Sequence, residues 1–408
     1  MTNCGPSSSE PSGPRRVPIP GARPDAAFAL LHPALRRWVW ERGWTALRDV
    51  QARAIPPILD ADADVVISAA TASGKTEAAF LPILSALTNS PSTRTGVEVL
   101  ALSPLKALIN DQHERLADLC SPLGIPVTAW HGDVNGSAKH RLLERPEGIL
   151  LITPESLEAL LVLRGPQAPS LFGALRYVVV DELHSFICGE RGAQVQSQLH
   201  RVEQAVHRQV PRIGLSATLG DQEAAGEFLR PGGGLRRVAI DADDHLELRL
   251  QLRGYLDRAP DHGSHPPAPA APLEVVEETA TDTDWAIASD LARVLTGTDN
   301  LIFANSRREV EILADRLGQL AGDRGQGDAF LAHHGSLSKT LREEVESRLK
   351  DRSRPVSAVC TATLEMGIDI GSVASIAQVG PPPSVATLRQ RLGRSGRRGD
   401  PAVLRLCV

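Results

Sequence analysis

The stretch from Val65 to Leu84, VVISAATASGKTEAAFLPIL, constrains what this chain can fold into more than any other. Val65-Val66-Ile67 is short and wholly apolar, the pattern of a strand buried on both faces of a parallel sheet. Glu77 to Leu84 reads as the start of a helix. Between them, AATASGKT is a turn of small residues that closes on Gly74-Lys75-Thr76. Backbone N–H groups of a loop opening a helix converge on an anion, and the helix N-terminus adds a favourable dipole. Gly74 lets the backbone approach closely, Lys75 reaches terminal phosphates, and the Thr76 hydroxyl can hold Mg²⁺. Ala72 and Ser73 complete the candidate phosphate cradle. Ala69 and Ala72 stand where glycine is common, so the loop is identified by its ending and by the parts that accompany it.

Those parts recur along the chain in order. Gln51 lies a short helix ahead of the first strand, where its amide could pair with both edges of an adenine. After the loop, GVEVLALSP, VTAWHGD and GILLITPESLEALL repeat a strand-then-helix rhythm, which predicts a parallel α/β sheet. Ser103 to Leu108 and Thr153 to Leu157 put hydroxyls where a strand's carboxyl end meets a helix. That position suits phosphate contacts, and it equally suits simple helix capping. Tyr177 to Val180 is a buried strand ending in Asp181-Glu182. Two adjacent acids there are costly unless they meet a cation. Asp181 is placed to hold Mg²⁺ opposite Thr76, and Glu182 to polarise an attacking water. RIGLSATL then ends a strand in Ser216-Ala217-Thr218.

At 408 residues, the chain has room for more than one domain. Residues 1–24, rich in Ser, Pro and Gly, read as a disordered tail, and 25–232 as the first α/β domain. Residues 233–272 read as a connector with a low-complexity loop over 257–272, although His245 to Leu256 alternates like a strand of the next domain. From 273 to 408 the α/β rhythm restarts without a second phosphate loop. It supplies arginines instead: Arg391, Arg394 and Arg398 would share one face of a helix, with Arg397 beside them. Arginines brought across a cleft stabilise charge developing on a terminal phosphate. The formal net charge of −5 argues against a wholesale nucleic-acid coat but not against a local basic groove. Only five of the 44 basic residues are lysine, and Lys75, Lys106 and Lys339 fall inside these motifs. Five scattered cysteines suggest neither a disulfide framework nor a zinc site. No apolar run reaches membrane-spanning length, and no signal-peptide core opens the chain, so a cytoplasmic protein is expected.

The ordered set AATASGKT, SPLKAL, TPESL, DELH, SAT, FANSRR, TATLEMGIDIG and QRLGRSGR resembles superfamily 2 helicases of the DEAD/DEAH-box type. HHGSLS and PPPSVATLRQRLGRSGRRG look most like the large helicase-related (Lhr) branch and its Ski-like relatives. The resemblance covers roughly Phe28 to Val408. It implies two tandem RecA-like domains, with ATP in the cleft between them and nucleic acid across both. By match to the family's motifs, Gln51 reads adenine, and Lys75 with Thr76 holds phosphates and Mg²⁺. Asp181 and Glu182 do the metal and water work, and Ser216 and Thr218 couple hydrolysis to strand binding. Asp369 touches the ribose or the opposing domain, and Arg394 and Arg397 are arginine fingers. Lys106, Thr153, Arg307 and Thr361 lie along the nucleic-acid backbone. Two departures weaken a strict DEAD-box reading: DELH replaces DEAD, and Gln390 stands where histidine is usual. The branch normally carries further domains after the second RecA-like one. The expected activity is an ATP-dependent helicase or translocase on DNA or RNA, single-stranded or with a single-stranded tail. A clamp that hydrolyses ATP without unwinding, and a binding module left by truncation, are the alternatives.

Overall fold

The computed structural model describes residues 24–69, 73–187, 189–216, 222–241, 247–256, 282–322, 325, 327–351, 353–365, 371, 373–395 and 401–408. The expected tail, apart from Pro24, and the low-complexity loop lie outside the described residues. Strands in chain order are β1 (Ala63–Ser68), β2 (Val99–Leu102), β3 (Val127–Trp130), β4 (Ile149–Ile152), β5 (Tyr177–Val180), β6 (Arg212–Ser216) and β7 (Arg236–Asp241). They are followed by β8 (Leu248–Arg253), β9 (Asn300–Phe303), β10 (Phe330–His333), β11 (Ser357–Cys360), β12 (Ser375–Val379) and β13 (Ala402–Cys407).

The first seven form one sheet in the order β3-β4-β2-β5-β6-β1-β7, and the rest a second in the order β10-β11-β9-β12-β13-β8. The ladders of both are parallel. These are two parallel α/β units, as the strand-helix rhythm predicts, in the tandem arrangement that the resemblance implies. Central strands such as ILLI in β4 and YVVV in β5 are apolar at every position because both faces are covered.

The two faces separate residue by residue. Val65 and Ile67 join a core with the helices at Pro33–Glu41, Asp49–Asp60 and Lys75–Asn89, whereas Val66 joins the core on the opposite side. Tyr177 and Val179 alternate with Val178 and Val180 in the same way, following the two-residue period of a strand.

The connector expected over 233–272 needs correction. Arg236 to Asp241 pairs along β1 as the first sheet's edge, and Leu248 to Arg253 pairs along β13 as the second sheet's edge. β8 reads Leu-Arg-Leu-Gln-Leu-Arg rather than continuously apolar, and as an edge strand it leaves even its leucines exposed among the described residues. Its alternation was a strand signal, and the composition around it was a loop signal; backbone pairing decides in favour of the strand. Among the described residues, no helix is long and apolar enough to cross a membrane. Cys120, Cys360 and Cys407 are buried free thiols.

The amino-terminal edge of the first sheet is fastened by buried charge. Arg230 donates from Nη2 to Asp64 Oδ1 at 3.1 Å, from Nη1 to Glu203 Oε1 at 2.9 Å, and to the Val210 carbonyl at 2.7 Å. The Arg212 backbone N–H donates to Asp64 Oδ1 at 2.9 Å, and its guanidinium to Glu203 Oε2 at 2.7 Å. The network ties the start of β1 to the start of β6. Removing one partner strands a buried charge. Asp64→Ala is therefore expected to lower unfolding free energy by about 3 kcal/mol or more, measured as a reduced midpoint in urea.

Candidate active site

The loop after β1 meets its helix at Gly74, which caps Lys75–Asn89 with φ of 85°. An added Cβ there would lie 2.5 Å from Gln51 Nε2, a side-chain end that could shift, so it is the left-handed conformation that calls for glycine. Gln51 is 1% exposed. Its Oε1 accepts from the Arg48 backbone N–H at 3.0 Å, and its Nε2 donates to the Gly74 carbonyl at 3.4 Å. In this conformation the glutamine joins its own helix start to the phosphate loop, with both ends of the amide engaged within the protein. Lys75 Nζ folds back onto the Ala69 carbonyl at 2.7 Å. Thr76 follows it in the first turn. Ser73 Oγ is buried with no hydrogen-bond partner among the described residues. Ala72 lies outside them.

Across from this loop, β5 delivers Asp181, 8% exposed. Gln112, from the helix Lys106–Cys120, donates its amide to Asp181 Oδ2. Burial, and secondarily the Glu182 carboxylate beside it, push the Asp181 carboxyl up to about 7, while Lys75 and Arg115 pull it the other way. Arg115 donates to Glu77 Oε1 at 2.6 Å, linking that helix to the first turn of the phosphate-loop helix. Glu182 adopts a left-handed conformation, φ 47° and ψ 47°, and opens the short turn Leu183–Ser185. Such a conformation is strained for a residue with a Cβ and persists only where packing imposes it. The next residue, Leu183, is fully buried and lies so close over β6 that a Cβ on Gly214 would come within 2.7 Å of it.

A loop whose buried Ser73 hydroxyl has no partner among the described residues, a helix opening at a left-handed glycine and a carboxyl whose charge burial disfavours together fit a polyphosphate and its Mg²⁺. Among the described residues, no cluster of three or more His, Cys, Asp and Glu could hold a metal without such a partner.

His184 was missed as a site residue by sequence reasoning. Its Nδ1 lies 3.0 Å from Ser216 Oγ and 3.5 Å from Glu182 Oε2, and its Nε2 lies 3.3 Å from Gln390 Oε1 in the second unit. With the proton on Nε2, the ring donates to Gln390 and accepts from the Ser216 hydroxyl. One imidazole thus joins the end of β6 to the other half of the molecule, with the Glu182 carboxylate close beside it. Thr218 lies outside the described residues.

The second unit's arginines are arranged differently from the expected shared face. The helix Val385–Leu392 stops at Gly393, so Arg394 falls beyond its register. Arg391 is an internal strut: Nε and Nη2 donate to Glu365 Oε2 at 3.1 and 3.0 Å, and the guanidinium covers the Phe303 ring at 4.4 Å. Arg394, 5% exposed, donates from Nη2 to the Glu365 carbonyl at 3.0 Å. Asp369 and Arg397 lie outside the described residues, as does Arg398.

The expected strand-binding residues sit at carboxyl ends of strands. Lys106 opens the helix after β2 and pairs with Asp133 Oδ1 at 2.9 Å. Thr153, after β4, caps the next helix by accepting from the Ser156 N–H at 3.3 Å, the capping role its sequence context also allowed. Thr361 follows β11 and makes no side-chain cap bond; Arg307 opens the helix after β9 and is exposed.

Residues 48–225 match the DEAD/DEAH box helicase family, and residues 286–399 match the helicase conserved C-terminal domain. The chain belongs to the DEAD/DEAH-box helicases. The ATP-dependent helicase Lhr-Core of Methanothermobacter thermautotrophicus is 32% identical over 387 residues, covering 91% of this chain and 42% of that protein. The Lhr helicase/probable uracil glycosylase of Mycolicibacterium smegmatis is 31% identical over 93% of this chain and 26% of its own length. The structure of Mycobacterium smegmatis helicase Lhr bound to ssDNA and AMP-PNP is 30% identical, with a TM-score of 0.72 over 93% of this chain and 48% of that one. The chain therefore spans less than half the length of these relatives.

Within this DEAD/DEAH-box chain, the signal for His184 was present in DELH itself, but its partner Gln390 is 206 residues away. Gln112 and Glu365 gave no local signal at all. Two expectations follow from the geometry. A carboxyl titrating near 7 when folded and near 4 when unfolded binds more protons in the folded chain between those values. Stability contributed at this site is therefore present at low pH and lost as pH rises toward 7. Asp181→Asn, measured without nucleotide or Mg²⁺, should melt about 3 °C or more above the parent at pH 8, with the gap closing by pH 4. His184→Ala should leave nucleotide affinity within about threefold and lower strand-stimulated turnover about tenfold, the scale of one lost hydrogen bond; equal stimulation in parent and variant would remove His184 from the link.

Proposed function

We infer that this chain is the ATP-hydrolysing motor of a nucleic-acid helicase or translocase. The observation that carries this reading is the acid pair beside the phosphate loop, followed at once by His184, which reaches a residue of the other half. A plain nucleotide-binding domain has no use for a hydrogen bond from the turn that follows its acid pair to a helix of a second unit; a motor that couples hydrolysis to domain movement does.

In this reading, Ser73, Gly74, Lys75 and Thr76, with Ala72, hold the phosphates of ATP. Gln51 turns from the Gly74 carbonyl toward adenine, and Asp369 meets the ribose or the facing domain. Thr76 and Asp181 hold Mg²⁺, which neutralises phosphate charge when bound. Asp181 is kept ionised by that cation against the burial that otherwise protonates it. Glu182 orients a water and accepts its proton. Arg394 and Arg397 stabilise developing phosphate charge once closure draws them from the second unit. Ser216 and Thr218 report the state of the site through His184.

Lys106, Thr153, Arg307 and Thr361 track the phosphates of a DNA or RNA strand. The first unit runs through Asp241 and the second starts at Leu248. The cytoplasm, where ATP and nucleic acid meet, is the compartment this function implies.

The test is ATP turnover measured with single-stranded DNA, with single-stranded RNA and with neither. A strand should raise the rate. Glu182→Gln should still bind ATP and lose about two orders of magnitude or more in turnover, the scale of a lost general base, and Lys75→Ala should weaken nucleotide binding. Parental turnover in Glu182→Gln overturns the assignment of that residue. A rate indifferent to both strands overturns the motor.

A further inference from the structure

A cleft of about 590 Å³ opens beside the strand-binding row, between the two units. Leu105 lines it from the first unit, and Ala304, Ala362, Pro381, Pro382 and Pro383 line it from the second. We propose that this cleft seats the base and sugar of one nucleotide of the bound strand, with Pro381 to Pro383 as the surface against which the nucleotide lies. The inference rests on the motor reading above and adds a subsite to it.

The chemistry of the wall selects that occupant. Three successive prolines offer no backbone N–H, so the segment has nothing with which to hold a phosphate. Its rings present an apolar surface, and a nucleobase face, with the sugar behind it, is the part of a nucleotide that gains from such contact.

The borders supply what the wall lacks. Lys106 directly follows Leu105, and Thr361, whose side chain makes no cap hydrogen bond, stands on the opposite side. A nucleotide bridging the units therefore finds the Thr361 hydroxyl at one end, the half-exposed Lys106, paired with Asp133, near the other, and an apolar seat between them. The volume lies within the range of small-ligand sites, about 300–1,000 Å³, and is ample for one nucleoside.

The wall is also held still. Gly380 N–H donates to the Cys407 carbonyl at 2.9 Å, fixing the approach from β12. Asn305 Nδ2 donates to the Pro381 carbonyl at 3.0 Å. On the far side, Ser384 Oγ caps the next helix by accepting from the Thr387 N–H at 3.1 Å. Fixed prolines lose little freedom when a ligand settles on them, which favours binding by contact alone.

The experiment compares equilibrium binding of a short single-stranded DNA with a fully abasic strand of equal length. Both are measured in the presence of AMP-PNP, so that the motor does not step. The parent chain should bind the normal strand about 10-fold more tightly than the abasic one, a fraction of the stacking worth given up per base on an aromatic platform. Replacing Pro381, Pro382 and Pro383 together by Ser should shrink that ratio to about twofold or less while the abasic strand binds as before. Melting temperature without a strand is the fold control, and Pro382→Ser alone carries the same comparison if the triple replacement melts early. The same pair of measurements on ribose strands tells which backbone occupies the cleft, and base dependence lost with the prolines in either supports the subsite. An unchanged ratio in the proline variants overturns it, as does a variant that weakens both strands equally. A parent chain that binds no strand of any kind fails earlier, at the motor reading, and is distinguished by the absence of any affinity to compare.

Discussion

A parallel ladder places the carboxyl end of every strand on the same edge of its sheet, and nearly everything chemical in this molecule depends on that geometry. The phosphate loop after β1, Asp181 after β5 and Ser216 at the end of β6 come together because β5, β6 and β1 are adjacent in the sheet. Lys106 and Thr153 follow β2 and β4 on the other side of β5, so phosphate chemistry and strand contacts share one edge but occupy different parts of it. The opposite edge does structural work. There Arg230, Asp64, Arg212 and Glu203 satisfy one another away from solvent, anchoring the base of the strand whose tip carries the loop.

At the working edge, the fold tolerates what it avoids elsewhere. Asp181 is buried beside another carboxylate, Glu182 holds a backbone conformation that side chains disfavour, and Ser73 keeps a buried hydroxyl without a partner among the described residues. Each is a local cost that surrounding packing sustains, and each becomes favourable once phosphate and cation supply the missing interactions. The second unit shows the contrary arrangement. Arg391 donates to Glu365 and to Gln378 with an aromatic ring beneath its guanidinium, so this part of the basic motif is scaffold and Arg394 is positioned against it.

Reading the fold from sequence succeeded where burial dictated composition. Val65 to Ile67 and Tyr177 to Val180 are apolar at every position because helices cover both faces, and that pattern admits few other structures. It fell short at β7, where one covered face leaves an ambiguous alternation beside a glycine-rich segment, and at β8, whose alternating residues are exposed on both faces. The phosphate loop and the acid pair were legible because their chemistry needs particular residues in short order. The role of Gln51 in bracing Gly74, the capping by Thr153 and the internal use of Arg391 were not, since each depends on what stands opposite in three dimensions. The His184–Gln390 contact is the extreme case: two ordinary polar residues acquire meaning only when two sheets face one another.

The pairing of β8 with β13 has a consequence for how the protein is made. β8 is the first strand of the second sheet to leave the ribosome, yet its neighbour in that sheet is the last. Until β13 has been synthesised, β8 has no backbone partner, and Leu248, Leu250 and Leu252, exposed even in the finished fold, stand beside an unfilled ladder. The first sheet, by contrast, is complete at β7. Vectorial synthesis thus yields a finished phosphate-loop domain followed by a long interval in which an adhesive strand waits for closure, and that interval is where chaperones would find this chain.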